Sequence, residues 1–129
     1  MPGETDLPTL LRSMEPVLHA DEFVFCTVAA TDGVDAIGVF HEPEGVTLIC
    51  RRAEAQRRGL PFTFPCRMIT LNVHSSLEAV GFLAAIAGEL ARAGIAMNAV
   101  SGYYHDHLFV GLADAERALK LLGEMRLSG

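Results

Sequence analysis

The second half of the chain carries a succession of hydrophobic periods that few folds can accommodate. In "RMITLNV", Ile69, Leu71 and Val73 alternate with Met68, Thr70 and Asn72, the two-residue period of a strand with one buried face. The period then changes. Leu83, Ile86, Ala87 and Leu90 fall at i, i+3, i+4 and i+7, with Arg92 on the opposite side and Gly94 placed to end a helix. "IAMNAV" and "HLFVGL" read as two further strands. "DAERALKLLGEM" reads as a second helix with an Asp114 cap, a Glu116–Lys120 pair and an Ala115, Ala118, Leu119, Leu122 stripe. The order β-α-β-β-α predicts an α+β protein whose antiparallel sheet is covered by helices.

The first half is patterned differently. "DLPTLLRSMEP" puts Leu7, Leu10, Leu11 and Met14 at helical spacing behind a possible Asp6 cap, and Pro16 stops the helix. "EFVFCTVAA" reads as a strand, and "AIGVF" and "VTLIC" flank "HEPEG", where Pro43 and Gly45 suit a tight turn. "RRAEAQRRG" is read as a brief helix closed by Gly59, and "LPFTFP" as an extended connector. This half has strands but no helix between the first two. The two halves, residues 1–63 and 64–129, are therefore expected to complete one another. Either "EFVFCTV" joins the second sheet or the sheets continue side by side, because an unpaired edge strand invites association.

Composition narrows the function classes. The formal net charge of −6 argues against general nucleic-acid binding, and the Arg51, Arg52, Arg57, Arg58 cluster reads as a solvated helix face. The longest apolar or small run, Ala79 to Gly88, is ten residues, too short to span a bilayer. "MPGETDLPTL" lacks a signal-peptide layout, so a cytoplasmic chain is expected. Cys26, Cys50 and Cys66 are odd in number and show no CxxC spacing, which favours buried thiols over a disulfide framework or zinc knuckle.

"VSGYYHDHLFV" gathers two tyrosines, two histidines and an aspartate where a hairpin must bend. In extended chain only His105 and His107 share a face, and two ligands do not make a zinc site. The stretch is read as a turn, and no metal or cofactor is expected. Pairs such as Cys66 with His74, or Ser101 with His105, could be drawn as nucleophile and base, but no phosphate loop, nucleophile elbow or H-E-x-x-H helix supports them.

The stretch "RMITLNVHSSLEAVGFLAAIAGELARAGIAMNAVSGYYHDHLFV" resembles an ACT domain: a strand, a loop ending in Gly81, a helix closed by "ARAGI", and a second strand bearing Asn98. "HSSLEAVG" and "YYHDHLFV", with "LLRSMEPVL" and "FVFCTV", resemble more narrowly a bacterial family of short tandem ACT-like proteins of unassigned function. The likeness implies a ferredoxin-like fold of two βαββαβ-type halves, 1–63 and 64–129, that binds an amino acid or similar small metabolite, works as a homodimer and signals to a protein partner. It implies no catalysis and no membrane or nucleic-acid partner. The usual ACT loop has an acidic residue and often Pro before its glycine, whereas here the order is Glu78, Ala79, Val80, Gly81.

An amino-acid site needs a carboxylate, exposed backbone amides and an apolar wall. Gly81 would admit the ligand to the backbone, the helix N-terminus would favour its carboxylate, and Glu78 would pair with its ammonium group. Ser76 joins that loop, and Val80 and Phe82 would form the wall. "SSLE" equally fits a capping box, Ser75 to Glu78, so Glu78 is read evenly as cap or contact. Asn98 is a candidate on the neighbouring strand. Similarity to the acidic, inter-module pockets of eukaryotic cytosolic arginine sensors adds Asp106, with Tyr104 as a stacking wall. A dimerisation module without ligand, or an unrecognised small enzyme, is the alternative.

Overall fold

Asp6 starts the first helix as its position implies. Its carboxylate accepts the Thr9 backbone N–H at 3.1 Å and the Thr9 hydroxyl at 2.6 Å, and a proline stands in the first turn, where an amide would have no helical partner. A computed structural model of the protein describes residues 3–128. Helix α1 (Leu7–Ser13) gives way to β1 (Pro16–Val28), then β2 (Ala36–Glu42) and β3 (Gly45–Arg51) as a hairpin, and α2 (Arg52–Arg57). The second half follows as β4 (Thr63–Leu71), α3 (Phe82–Arg92), β5 (Met97–Ser101), β6 (Asp106–Gly111) and, after one 3₁₀ turn, α4 (Ala115–Ser128).

The strands form one six-stranded sheet in the order β2-β3-β1-β4-β6-β5, every neighbour antiparallel. Each half is a ferredoxin-like arrangement whose fourth strand is the first strand of the other half. β4 closes the set β2-β3-β1, and β1 closes the set β5-β6-β4. Both sequence-level proposals for the missing edge thus hold together: "EFVFCTV" joins the second sheet, and the sheet is continuous.

Two boundaries differ from the sequence reading, for one reason. Residues 16–18 belong to β1 because they pair with Leu71, Thr70 and Ile69, and "LPFTFP" contributes Thr63–Pro65 to β4 because Thr63 pairs with Phe25. Pairing partners 38 to 55 residues away leave no local signal. Phe64 sits at φ 56°, beside a register shift, and packs its ring against Phe25 at 6.0 Å between centroids.

A loop over residues 29–35 replaces the helix missing between β1 and β2. The arginine cluster holds it, which corrects the reading of that cluster as a merely solvated face. Arg58 donates to the Asp32 and Gly33 carbonyls at 3.2 and 2.8 Å, and Glu54 accepts the Asp35 N–H at 3.0 Å while paired to Arg57 and Arg58. These bonds, the Asp35 amide first, hold the Glu54 carboxyl down at about 2.

The helices lie on one face. Leu10 from α1 and Met14 at its C-cap, Ile86 and Leu90 from α3 and Leu122 from α4 pack with Ile69, Leu71, Leu108 and Val110, while Ala55 of α2 packs with Val24, Leu48 and Cys50. The third cluster, Phe23, Ile49, Cys66 and Phe109 with Phe25, Phe64 and Met68, contains no helical residue and lies on the other face. All three cysteines are free and buried, and burial raises the Cys50 thiol to about 11 and Cys66 to about 12.

On that same helix-free face, Thr70 Oγ1 is hydrogen-bonded to His19 Nε2 at 2.8 Å and to His107 Nδ1 at 3.0 Å. Burial, then the neighbouring His105, pushes the His107 pKa below its ordinary 6.5. The folded chain therefore favours neutral His107, and protonation favours unfolding. Its contribution is complete above pH 6.5 and declines as pH falls below that value. His107→Gln is expected to lose less melting temperature than the parent between pH 7.5 and 5.5. An equal loss in calorimetric scans of both proteins would assign the acid sensitivity to other groups.

Candidate functional site

The end of the β5–β6 hairpin, the loop after β4 and the start of α3 enclose a cavity of about 190 Å³. Its polar floor is Asp106, the first residue of β6, which the ladder places between Leu71 and Ser101. The carboxylate is only 7% exposed and accepts the Ser75 hydroxyl at 3.2 Å. Among the described residues, Asp106 and Ser75 are the buried polar side chains, and none of the ion pairs reaches Asp106. Ser76 and Ser101 add hydroxyls to the lining, and Leu77, Ala79, Phe82 and Leu83 add apolar surface.

The N-terminal turn of α3 borders the cavity through Phe82 and Leu83. Gly81 is the N-cap at φ 92°, a conformation suited to glycine, and no side chain caps the helix. The first-turn amides are therefore available to an anionic group. The expected capping box does not form. The helix begins at Phe82, beyond Glu78, and the Ser76 hydroxyl instead accepts the Glu78 backbone N–H at 3.0 Å.

The N-terminal segment fixes this loop in place. Glu4 N–H donates to the His74 carbonyl and Ser76 N–H to the Glu4 carbonyl, both at 2.8 Å. A side chain at Gly3 would meet the Ser75 and Ser76 backbone at 2.6 Å, so this close approach requires glycine.

Of the sequence candidates, Ser76, Phe82 and Asp106 line the cavity and Gly81 caps the helix at its edge. Four lie elsewhere. Glu78 is exposed, and Val80 is 84% exposed on the outer side of the loop. Asn98 pairs with Phe109 on the helix-free face, because alternation along β5 sends Ser101 and Asn98 to opposite sides. Tyr104 stacks on the His74 ring at 5.1 Å and on Tyr103 at 5.0 Å, outside the lining. His107 and Asp106 point to opposite faces, and among the described residues no group of three or more His, Cys, Asp or Glu is placed to hold a metal. Sequence reasoning took Ser75 as a cap and Ser101 only as a nucleophile, drawn with His105, that no motif supports. Pairing the ends of the hairpin, Ser101 opposite Asp106, is the signal that would have found the latter.

Two family models for the ACT domain match the sequence, one over residues 2–67 and the other over residues 63–124. The chain belongs to the ACT domain family. In this ACT protein the cavity lies between the loop after the first strand, the start of the first helix and the β5–β6 hairpin of the C-terminal copy, and no catalytic family is among the matches. No curated protein matches the sequence.

Among solved structures, a Vibrio cholerae protein of unknown function, described as a possible transport protein, is 46% identical, with 93% of this chain and 95% of that one covered at a TM-score of 0.85. An Agrobacterium tumefaciens protein is 16% identical, covering 88% and 89%, at 0.72. The regulatory subunit of aspartate kinase from Thermus flavus is 11% identical, covering 85% and 95%, at 0.66. The last two share the ACT fold with this chain. Among the described residues no helix is long and apolar enough to cross a membrane.

Proposed function

We propose that this ACT protein is a regulatory sensor that binds a small free amino acid in the Asp106 cavity and works as a homodimer, without catalysis, in the cytoplasm. The observation that carries the reading is the buried Asp106 carboxylate, held by one neutral hydroxyl and facing open space beside an uncapped helix start. A buried carboxylate without a countercharge is costly, and a ligand ammonium group supplies one. The ligand carboxylate then meets the amides of α3, and its side chain meets Leu77, Ala79 and Leu83. The cavity selects for small or medium side chains by its size. Membership of the ACT family supports a ligand-binding regulatory role, and the aspartate kinase regulatory subunit shares the fold.

Thermal-shift measurements with each standard amino acid test the proposal. A ligand at a hundred times its Kd stabilises the folded chain by about 2.7 kcal/mol, a shift readily resolved in a domain of this size. The expected result is a shift with one amino acid or a few of similar size. No shift with any of them at millimolar concentration would refute it.

A further inference from the structure

One short segment, residues 3–7, touches both ends of the loop that roofs the Asp106 cavity. At the start of the loop, the Glu4 N–H donates to the His74 carbonyl and the Glu4 carbonyl accepts the Ser76 N–H, each at 2.8 Å, in a parallel bridge between Glu4 and Ser75. At its far end, the Leu7 side chain stops 3.5 Å from the point where a side chain at Gly81 would begin. Between these anchors lie Ser75, Ser76, Leu77 and Ala79, all of which line the cavity. Two further backbone bonds, from Ser75 to Val73 and from Ala79 to Ser76, close on the loop itself.

The stabilisation behind this hold is small. Glu4, Thr5 and Asp6 are all exposed, and the Glu4 carboxylate accepts the Thr5 and Asp6 amides, within the segment itself. Residues 3–6 therefore rely on two backbone bonds to offset the entropy of being ordered. Backbone held in this way opens locally, well before the sheet does. Beyond Leu7 the situation changes, because Leu10 and Met14 are completely buried in the core.

We propose that residues 3–7 position the roof over Asp106, and that docking of this segment and occupancy of the cavity reinforce one another. This rests on the Asp106 reading of the function and extends it to how occupancy leaves the site. Ser75 links the two. Its backbone is bridged to Glu4 while its hydroxyl donates to Asp106 at 3.2 Å, so the segment and the ligand-facing carboxylate meet in one residue. A ligand that spans Asp106 and the first-turn amides of α3 orders the loop between them, which lowers the entropy cost of docking residues 3–7. By linkage, the docked segment raises ligand affinity by the same factor. Occupancy is thereby passed to the residues that lead into α1.

Amide exchange of the full chain, followed residue by residue by NMR, tests the first half of the statement without any ligand. Glu4→Pro deletes the N–H given to His74. Its Ser76 and Ala79 amides are expected to exchange about 2- to 10-fold faster than the parent's, the equivalent of one lost backbone hydrogen bond, with β4 and α4 as protected as before. Gly3→Val, whose side chain would meet the Ser75 and Ser76 backbone at 2.6 Å, is expected to show the same pattern more strongly. Glu4→Gln keeps the backbone bonds and is expected to match the parent.

The second half is read with whichever standard amino acid gives the largest thermal shift. The parent's Ser76 amide is expected to gain protection when that amino acid is added. Calorimetric affinity is expected to fall about 5- to 150-fold in Gly3→Val and to be retained in Glu4→Gln. The unliganded melting temperature of Gly3→Val is expected to stay near the parent's, since the segment opens without the sheet, and a purely structural role would lower both. A Ser76 amide unprotected in the parent, or equally protected in folded Glu4→Pro and Gly3→Val proteins, would overturn the positioning role. Undiminished affinity in Gly3→Val would overturn the coupling. No thermal shift with any standard amino acid would overturn the functional reading and the coupling with it, while exchange in the unliganded chain would still decide whether residues 3–7 hold the loop.

Discussion

Cutting the chain between residues 63 and 64 is expected to leave two fragments, neither of which folds. The central pair β1 and β4 is split by that cut, and each is the fourth strand of the other's sheet. The C-terminal fragment also loses α1 and its C-cap, whose Leu10 and Met14 are completely buried in the cluster that holds α3 and α4. Truncating one such side chain costs about 2–5 kcal/mol, and a domain of this size has about 5–15 kcal/mol in all. Losing both residues and a central strand exceeds what remains. The N-terminal fragment keeps β2-β3-β1 with α2 but exposes both edges of a three-stranded sheet, a form that associates rather than folds. Circular dichroism melts of the separate fragments check the expectation, with mixing as the informative addition. A cooperative transition in either piece alone would mean that the halves are independent domains.

Asp106→Asn is expected to weaken amino-acid binding by about 10- to 150-fold, the equivalent of the 1.5–3 kcal/mol associated with a hydrogen bond to a charged group. The amide keeps the shape of the carboxylate and can still accept from Ser75, so the fold is retained. Removing a buried charge with no countercharge should leave the unliganded melting temperature equal or higher. Affinity and stability then move in opposite directions, which a residue serving only the hairpin would not produce. Glu78→Gln is the contrasting variant. The exposed side chain lies outside the cavity, and the substitution is expected to leave both quantities unchanged. Calorimetry with whichever amino acid gives a thermal shift reads both variants. Undiminished affinity in Asp106→Asn would remove the carboxylate from the site.

Legibility in the sequence followed the range of the interaction. Asp6 with Thr9, the Gly45 hairpin, the stripe of α3 and the alternation of β4 are contacts within a few residues, so the order of nearly every element was readable. The capping box at "SSLE" failed for a physical reason. The N-terminal residues Gly3 and Glu4 clamp the backbone at 74–76 as an extended bridge, and the helix cannot begin until Gly81 turns the chain. The same constraint moved Glu78 away from the cavity. Asp106 was found as a candidate through likeness to other ACT modules, whereas its partner Ser75 emerged only from the packing of the loop after β4, and the place of Ser101 from hairpin register.

By itself, the sequence determined the secondary-structure order, the α+β class, the ACT likeness and the burial of the thiols, since periodicity and composition report which face of each element avoids water. Tertiary structure decided the rest. That β1 and β4 pair and share out the two sheets, that one face of the sheet carries all the helices, and that Asp106 and Asn98 fall on opposite sides depend on strand register and on partners tens of residues distant. Such pairings arise from the free energy of the whole packed sheet, and no window of neighbouring residues encodes them.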